Sequence, residues 1–217
     1  MTIIDNHTHR LRENAVVDID PISSPEPIEL VEPYIYSVGI HPWNANCVRK
    51  KDLALLRRLA KNPRVVAIGE CGLDSVHISY EWHRHGSYSE LEQSLPDMEK
   101  QMELLKTHIE LSEELRKPLL LHIVKRYPEI IRLRNKLKPT QPWIIHGFRG
   151  KPGLAADLLK FGFYLSYGEH FNPQSVALTP DDRLLVETDE SDLPIADIVA
   201  SLVRIPQIDL TTLSARD

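Results

Sequence analysis

Ile3-Ile4-Asp5-Asn6-His7-Thr8-His9 is an apolar pair running directly into a His-x-His. On an extended strand, side chains two apart point the same way. His7 and His9 therefore stand side by side at the carboxyl end of such a strand, within reach of one cation. Neutral imidazole is a common ligand for Zn²⁺ and related ions. Alone, the segment reads more readily as a solvent-exposed polar turn after a short strand, and His-x-His is a weak signal. The metal reading gains its force from repetition. Val65-Val66-Ala67-Ile68-Gly69 ends at Glu70, Leu119-Leu120-Leu121 at His122, Trp143-Ile144-Ile145 at His146, and Leu184-Leu185-Val186-Glu187-Thr188 at Asp189.

Between these runs lie helical patterns. Leu53, Leu56, Leu59 and Ala60 form one stripe after Asp52, which reads as a helix start. Met98, Met102, Leu105, Ile109, Ser112 and Leu115 recur at steps of three or four, with Pro96 suited to the first turn. Ile130, Leu133 and Leu137 mark a third helix, Leu154, Leu158 and Phe161 a fourth, and Pro194 to Val203 a last one. Tyr34 to Ile40 and Phe163 to Tyr167 are further strands. Strands that are continuous apolar runs, alternating with helices, predict a parallel sheet covered by helices. The fold class is α/β, a TIM-type (β/α) barrel, and the whole chain, 1–217, reads as a single domain. Ala15-Val16-Val17-Asp18-Ile19 completes a set of eight strands. Only Arg10 to Asn14 separate it from the first strand, whereas a parallel crossover needs a dozen residues or so. The second strand is thus expected to be missing, antiparallel or irregular, and the barrel seven-stranded or distorted there.

Composition narrows the function. The chain has 217 residues, 42% hydrophobic, enough for a sizeable core, and a net charge of -5. No global basic field draws in nucleic acid, so a polyanion must be held locally. No signal-peptide pattern and no membrane-length segment is visible, and no membrane partner is expected. The two cysteines, Cys47 and Cys71, form neither a disulfide framework nor a CxxC, which fits a reducing cytoplasm. The oligomeric state is not readable.

In a barrel, the strand ends ring one mouth, so His7, His9, Glu70, His122, His146 and Asp189 would converge from five stretches of sequence. Mixed nitrogen and oxygen donors suit Zn²⁺, Mn²⁺ or Mg²⁺. Each residue also has a structural reading: a salt bridge for Glu70, a hydrogen-bonded core histidine for His122, a turn cap for Asp189. Six together at strand ends outweigh these.

At this point the sequence resembles the TatD family of metal-dependent hydrolases. The resemblance rests on His7-Thr8-His9, Ser37-Val38-Gly39-Ile40-His41-Pro42, Gly69-Glu70-Cys71-Gly72-Leu73-Asp74, Lys117-Pro118-Leu119-Leu120-Leu121-His122, His146-Gly147-Phe148-Arg149-Gly150 and Glu187-Thr188-Asp189, in order from residue 1 to about 190. It implies one or two divalent metal ions and hydrolysis of phosphodiesters by a metal-activated water, as in a deoxyribonuclease with 3′-to-5′ exonuclease character. Carried over by position, His7, His9 and Asp189 would hold a first metal, Glu70 would bridge, and His122 and His146 would hold a second. Asp189 would double as general base. Arg149 and Lys125, just beyond two ligand-bearing strands, are candidates to grip a phosphate, Arg149 bidentately, against the reading of plain surface charge. His41 lines the pocket as a further candidate substrate contact, supports the ligands from behind, or only packs a turn, and Trp43 stacks on a base or fills the core. The partner is DNA or a small phosphodiester, engaged at free ends, because the net charge cannot supply the contacts of a groove binder.

The chain departs from the family in three places. It is short around the second strand and at the C-terminus. The stretch Ser75 to Ser94, with His77, His83 and His85, is long and polar and reads foremost as a solvated loop. Glu190-Ser191-Asp192 follows Asp189 where many relatives carry a small residue and proline, and carboxylates pointing inward would repel a phosphate. Two other functions use the same residues. One is an amidohydrolase cleaving a small C–N or ester substrate, disfavoured by Glu70 where many such enzymes bridge with a modified lysine. The other is a non-catalytic metal-stabilised binding protein, disfavoured by the complete ligand set.

Overall fold

The computed structural model describes residues 4–24, 27–76, 97–202 and 213. Eight strands form one sheet in the order of the chain, every pair parallel. They are β1 (Asp5–Thr8), β2 (Ala15–Ile19), β3 (Ile35–Val38), β4 (Val65–Asp74), β5 (Leu119–Val124), β6 (Trp143–Ile145), β7 (Tyr164–Tyr167) and β8 (Leu184–Val186). Among the described residues, the helices between and after them are α1 (Lys50–Ala60), α2 (Met98–Leu115), α3 (Tyr127–Leu137), α4 (Pro152–Lys160), α5 (Pro173–Leu178) and α6 (Ile195–Ser201). Short 3₁₀ turns cover Pro42–Asn44 and Asp181–Arg183.

The continuous apolar runs divide by alternation. Val16, Ala67, Leu120, Ile144, Tyr164 and Leu185 pack together as the inner fill. Their neighbours Val17, Ile68, Leu119, Leu121, Trp143, Ile145, Leu165, Leu184 and Val186 face the helices with Leu56, Leu105, Leu111, Ile130, Leu158 and Ile198. A small barrel is filled in this way by layers of side chains. The residue two steps beyond an inner one joins the next layer up, which puts His122 above Leu120 and His146 above Ile144.

β8 and β1 close the ring largely through single groups. Thr8 and Asp189 form an isolated parallel bridge, with the Asp189 N–H donating to the His7 carbonyl at 2.8 Å. Asn6 Nδ2 donates to the Val186 carbonyl at 2.9 Å, and Asp5 accepts from the Thr188 N–H and hydroxyl at 2.9 and 2.6 Å. The first strand, polar in sequence, is buried because its side chains make the seam.

Of the two outcomes expected at the second strand, a seven-stranded barrel or a distorted one, the structure shows the distorted one, with eight strands. β2 is present and parallel to both neighbours. The distortion lies in its pairing with β1, whose register shifts between Asp5 and Thr8. The dozen-residue rule assumes a helix returning over a full strand. A strand as short as β1 needs a return of only about 13 Å, which the mostly exposed loop from His9 to Asn14 covers. Asn14, at φ 57°, turns the chain back, and its carbonyl accepts from the Asp5 N–H at 2.9 Å.

Some boundaries also move. β4 and β5 run past Glu70 and His122 to Asp74 and Val124, so both residues sit inside strands. α1 starts at Lys50, and Asp52 instead reaches back from the first turn to the Arg49 N–H at 2.9 Å. α2 starts at Met98 behind Asp97, whose carboxylate accepts from the Glu99 N–H at 2.8 Å. Pro96, His77, His83, His85 and Val203 lie outside the described residues.

Candidate metal centre

Six histidine and carboxylate side chains meet at the carboxyl end of the barrel, grouped about the two oxygens of Glu70. Oε1 lies 2.7 Å from His122 Nδ1, 2.8 Å from His146 Nε2 and 3.2 Å from His41 Nε2. Oε2 lies 3.5 Å from His7 Nε2 and 3.6 Å from His9 Nε2. Those two nitrogens are also 3.6 and 3.4 Å from Asp189 Oδ1. His7, Glu70 and His146 are buried, while His9 is partly exposed.

Whether these groups suit a cation can be decided from their lone pairs. Both ring nitrogens of His7 are buried and make no hydrogen bond among the described residues. Leaving such groups unsatisfied is costly, and they are rare in native proteins. His122 directs Nε2 at Asp74 Oδ2, 3.1 Å away, and His146 directs Nδ1 at Glu187 Oε1, 3.3 Å away. A neutral imidazole that gives its one N–H to a carboxylate turns a lone pair the other way. In His122 and His146 those opposite nitrogens are 3.2 Å apart and converge on one Glu70 oxygen. Lone pairs crowded against a carboxylate require positive charge between them, and the donor set suits a divalent cation.

Electrostatics agree. Burial opposes ionisation of Glu70, but the charge of His146 and hydrogen bonds from His122, His146 and His41 hold its carboxyl well below the usual range. Burial likewise disfavours charge on His146, yet Glu70 and Glu187 raise it well above the ordinary imidazole value. His9 is raised to about 9, chiefly by Asp189. Burial works against the Asp189 carboxylate, but the hydrogen bond from His9 and the charges of His146 and His7 together bring it down to about 2. Protons on these rings and a bound cation are alternative sources of the positive charge that the site favours.

His41 turns its ring into the cluster, behind the candidate ligands, one of the places expected for it. Its Nδ1 accepts from the Trp43 N–H at 3.2 Å, which leaves the proton of the neutral ring on Nε2, facing Glu70. Arg149 is exposed and lines a cavity of about 360 Å³ beside Asp189. Lys125 is exposed after β5 and lines neither that cavity nor the one of about 450 Å³ over Glu70.

Three carboxylates escaped the sequence reading. Asp74 and Glu187 stand behind His122 and His146. Asp18 of β2 accepts from the Glu70 N–H at 2.8 Å and the Ser37 hydroxyl at 2.9 Å, with Oδ2 3.9 Å from His9 Nδ1. Parity carries the signal for two of them. Asp18 is two residues beyond the inner Val16, and Glu187 lies midway between Leu185 and Asp189.

Residues 4–197 match the family described as TatD-related DNase. The chain belongs to the TatD family. An uncharacterised metal-dependent hydrolase of Bacillus subtilis, YabD, is 31% identical over 185 residues, covering 80% of this chain and 66% of that protein. A 3′-5′ ssDNA/RNA exonuclease TatD of Erwinia billingiae is 29% identical over 163 residues, covering 70% of this chain and 56% of that one. The crystal structure of YJJV, a TatD homologue of Escherichia coli K12, superposes with a TM-score of 0.70 at 18% identity, over 98% of this chain and 93% of the other. It shares the TatD fold. The chain spans between about half and two thirds of the length of the curated TatD relatives named here. Among the described residues, no helix is long and apolar enough to cross a membrane.

Proposed function

We propose that this chain is a divalent-metal-dependent phosphodiesterase, a deoxyribonuclease that trims nucleic acid from free 3′ ends. His7, His9, Glu70, His122, His146 and Asp189 would hold one or two Zn²⁺, Mn²⁺ or Mg²⁺ ions. One observation carries the reading: Glu70 offers one oxygen to His7 and His9, beside Asp189, and the other to His122 and His146. The naming of relatives as ssDNA/RNA exonucleases supports the substrate class. When bound, such ions polarise a phosphoryl oxygen and acidify a water.

The chain's own groups divide the remaining work. Asp189 is ionised at neutral pH and reaches the cavity over Glu70, placed to orient an incoming water and take its proton. Asp74 and Glu187 fix the tautomers of His122 and His146 so that lone pairs face Glu70. Asp18 steadies the Glu70 peptide through its N–H. Arg149, in the adjoining cavity, is placed to bind a phosphate oxygen.

The test combines metal analysis with a 5′-labelled single-stranded oligonucleotide. The purified protein should hold or take up one to two ions per chain and shorten the strand from its 3′ end, leaving circular single strands intact. Glu70→Gln keeps the size but offers one acceptor oxygen in place of two. It should lose at least one ion and about 10²-fold or more in rate. Full metal content and near-normal turnover in that variant would make Glu70 a structural carboxylate. Circular DNA cut as fast as linear would contradict attack at ends.

A further inference from the structure

We infer that Trp43 is a stacking seat for the nucleobase next to the scissile ester, so that the site selects a nucleotide-sized ester end rather than a length of strand. The inference rests on the phosphodiesterase reading above.

Trp43 is 47% exposed, whereas the core indole Trp143 is fully buried. It lines the cavity of about 450 Å³ that also holds Glu70, His122 and Asp189. Exposure usually goes with a mobile side chain, but this ring is anchored. Its Nε1–H donates to Asp74 Oδ2 at 2.8 Å, and the same oxygen faces His122 Nε2 at 3.1 Å. The His41 ring meets it at 4.6 Å with planes 80° apart, in the turn where His41 Nδ1 accepts the Trp43 N–H. One carboxylate oxygen therefore fixes both a candidate metal ligand and an aromatic surface 6.1 Å from it. An indole held in register with the reacting centre positions a flat ring relative to the ester; one that only filled a gap would need no such tie.

The charges of the two cavities point the same way. Among the described residues, the cavity over Glu70 is lined by no Lys or Arg, and Asp18, Asp20 and Glu190 add to its site carboxylates. The adjoining cavity sets Arg149 among Glu169, Glu187 and Asp192. Asp192 is paired with Arg10 at 2.5 Å, so part of that negative charge is compensated at the rim. A run of phosphates finds no cationic track among the described residues of these cavities, and tight binding of strands through their backbone requires one. Stacking on an indole is indifferent to charge and available to every base. Recognition thus falls to one base, the ester at the centre and at most one further phosphate near Arg149.

The experiment compares two esters on the Mn²⁺-supplemented protein: the dinucleotide d(TpT), and the same molecule with its terminal nucleoside replaced by abasic deoxyribose. Binding of dAMP is followed separately by quenching of tryptophan fluorescence. The wild type should prefer d(TpT) by about ten- to a hundredfold in kcat/KM, with little gain from longer oligonucleotides. In Trp43→Leu the ratio between the two esters should fall toward one and the quenching by dAMP should disappear. Trp43→Phe should keep most of the preference. General damage to the centre would slow both esters and leave their ratio, so the ratio separates stacking from structure. A preference that survives in Trp43→Leu overturns the inference, as does a kcat/KM that rises steadily with strand length. If neither ester is cleaved but dAMP quenches the wild type and not Trp43→Leu, the seat stands and the phosphodiesterase reading fails. If neither ester is cleaved and quenching does not depend on Trp43, both fail.

Discussion

His108, in α2, is fully buried with both ring nitrogens engaged: Nε2 accepts from the Ile40 N–H at 2.9 Å and Nδ1 donates to the Leu104 carbonyl at 2.8 Å. The ring is neutral in the fold. Burial brings its pKa down to about 4, against smaller raising effects of Leu104 and Asp20. In the unfolded chain it takes up a proton near pH 6.5, so the stability due to the neutral ring is complete above that pH. It is lost as pH falls from 6.5 toward 4, at about 1.4 kcal/mol per pH unit. Urea unfolding of metal-free protein at pH 7, 6 and 5 should show this slope. His108→Gln retains one donor and one acceptor but does not titrate, so its unfolding free energy should change less over the same range. Equal pH dependence in both proteins would remove His108 as the cause.

At the scale of elements, the site depends on how closely β4 meets β5. Gly72 of β4, at φ 154°, pairs with His122, and a Cβ there would lie 1.9 Å from the His122 carbonyl oxygen. The neighbour is backbone and cannot step aside. Gly72→Ala should therefore destabilise the fold by about 2 kcal/mol or more and displace His122 from Glu70. Gly153, in the first turn of α4, has nothing within 4 Å of its would-be Cβ. Gly153→Ala should be neutral or stabilising by up to about 1 kcal/mol. Chemical denaturation of the two variants checks the contrast, and equal midpoints would mean that β4 can shift to admit a side chain. The irregular pairing of β4 with β5 between Ile68 and Cys71 belongs to the same tight passage. Such irregularities re-aim side chains near active sites, and here Glu70 faces the cluster although strict alternation from the inner Ala67 would turn it toward the helices.

Across the whole molecule, the candidate ligands come from β1, β4 and β5 and from the ends of β6 and β8. β1 and β8 meet through the Thr8–Asp189 bridge and a few side-chain bonds. An ion shared by these elements would tie the weakest seam of the ring to its opposite side. A ligand at a hundred times its dissociation constant stabilises the folded state by about 2.7 kcal/mol, or roughly 5–10 °C in Tm for a domain of this size. Protein stripped with EDTA should melt lower by about that amount than protein with added Zn²⁺ or Mn²⁺, and Asp189→Asn should show a smaller gain. No change in Tm with any of Zn²⁺, Mn²⁺ or Mg²⁺ would count against a metal centre.

The apolar runs determined by themselves that the sheet is parallel and covered by helices, because only strands buried on both faces read so continuously. Alternation within those runs placed His122 and His146 in the layer above Leu120 and Ile144, and the motif order carried the family. Tertiary structure alone decided the rest. The length of a crossover depends on the strand it must return along, and the shortness of β1 decided for a distorted eighth strand where the sequence left a seven-stranded barrel equally open. The side on which Glu70 emerges depends on a local irregularity of pairing, which alternation cannot foresee. The pairing of Asp74 with His122 and Glu187 with His146 joins residues far apart in the chain, and each looks like an ordinary acidic residue until strand register brings it behind an imidazole. Arg149 and Lys125 were alike in sequence, each just past a ligand-bearing strand, and only the path of the two loops put one at a cavity and the other in solvent.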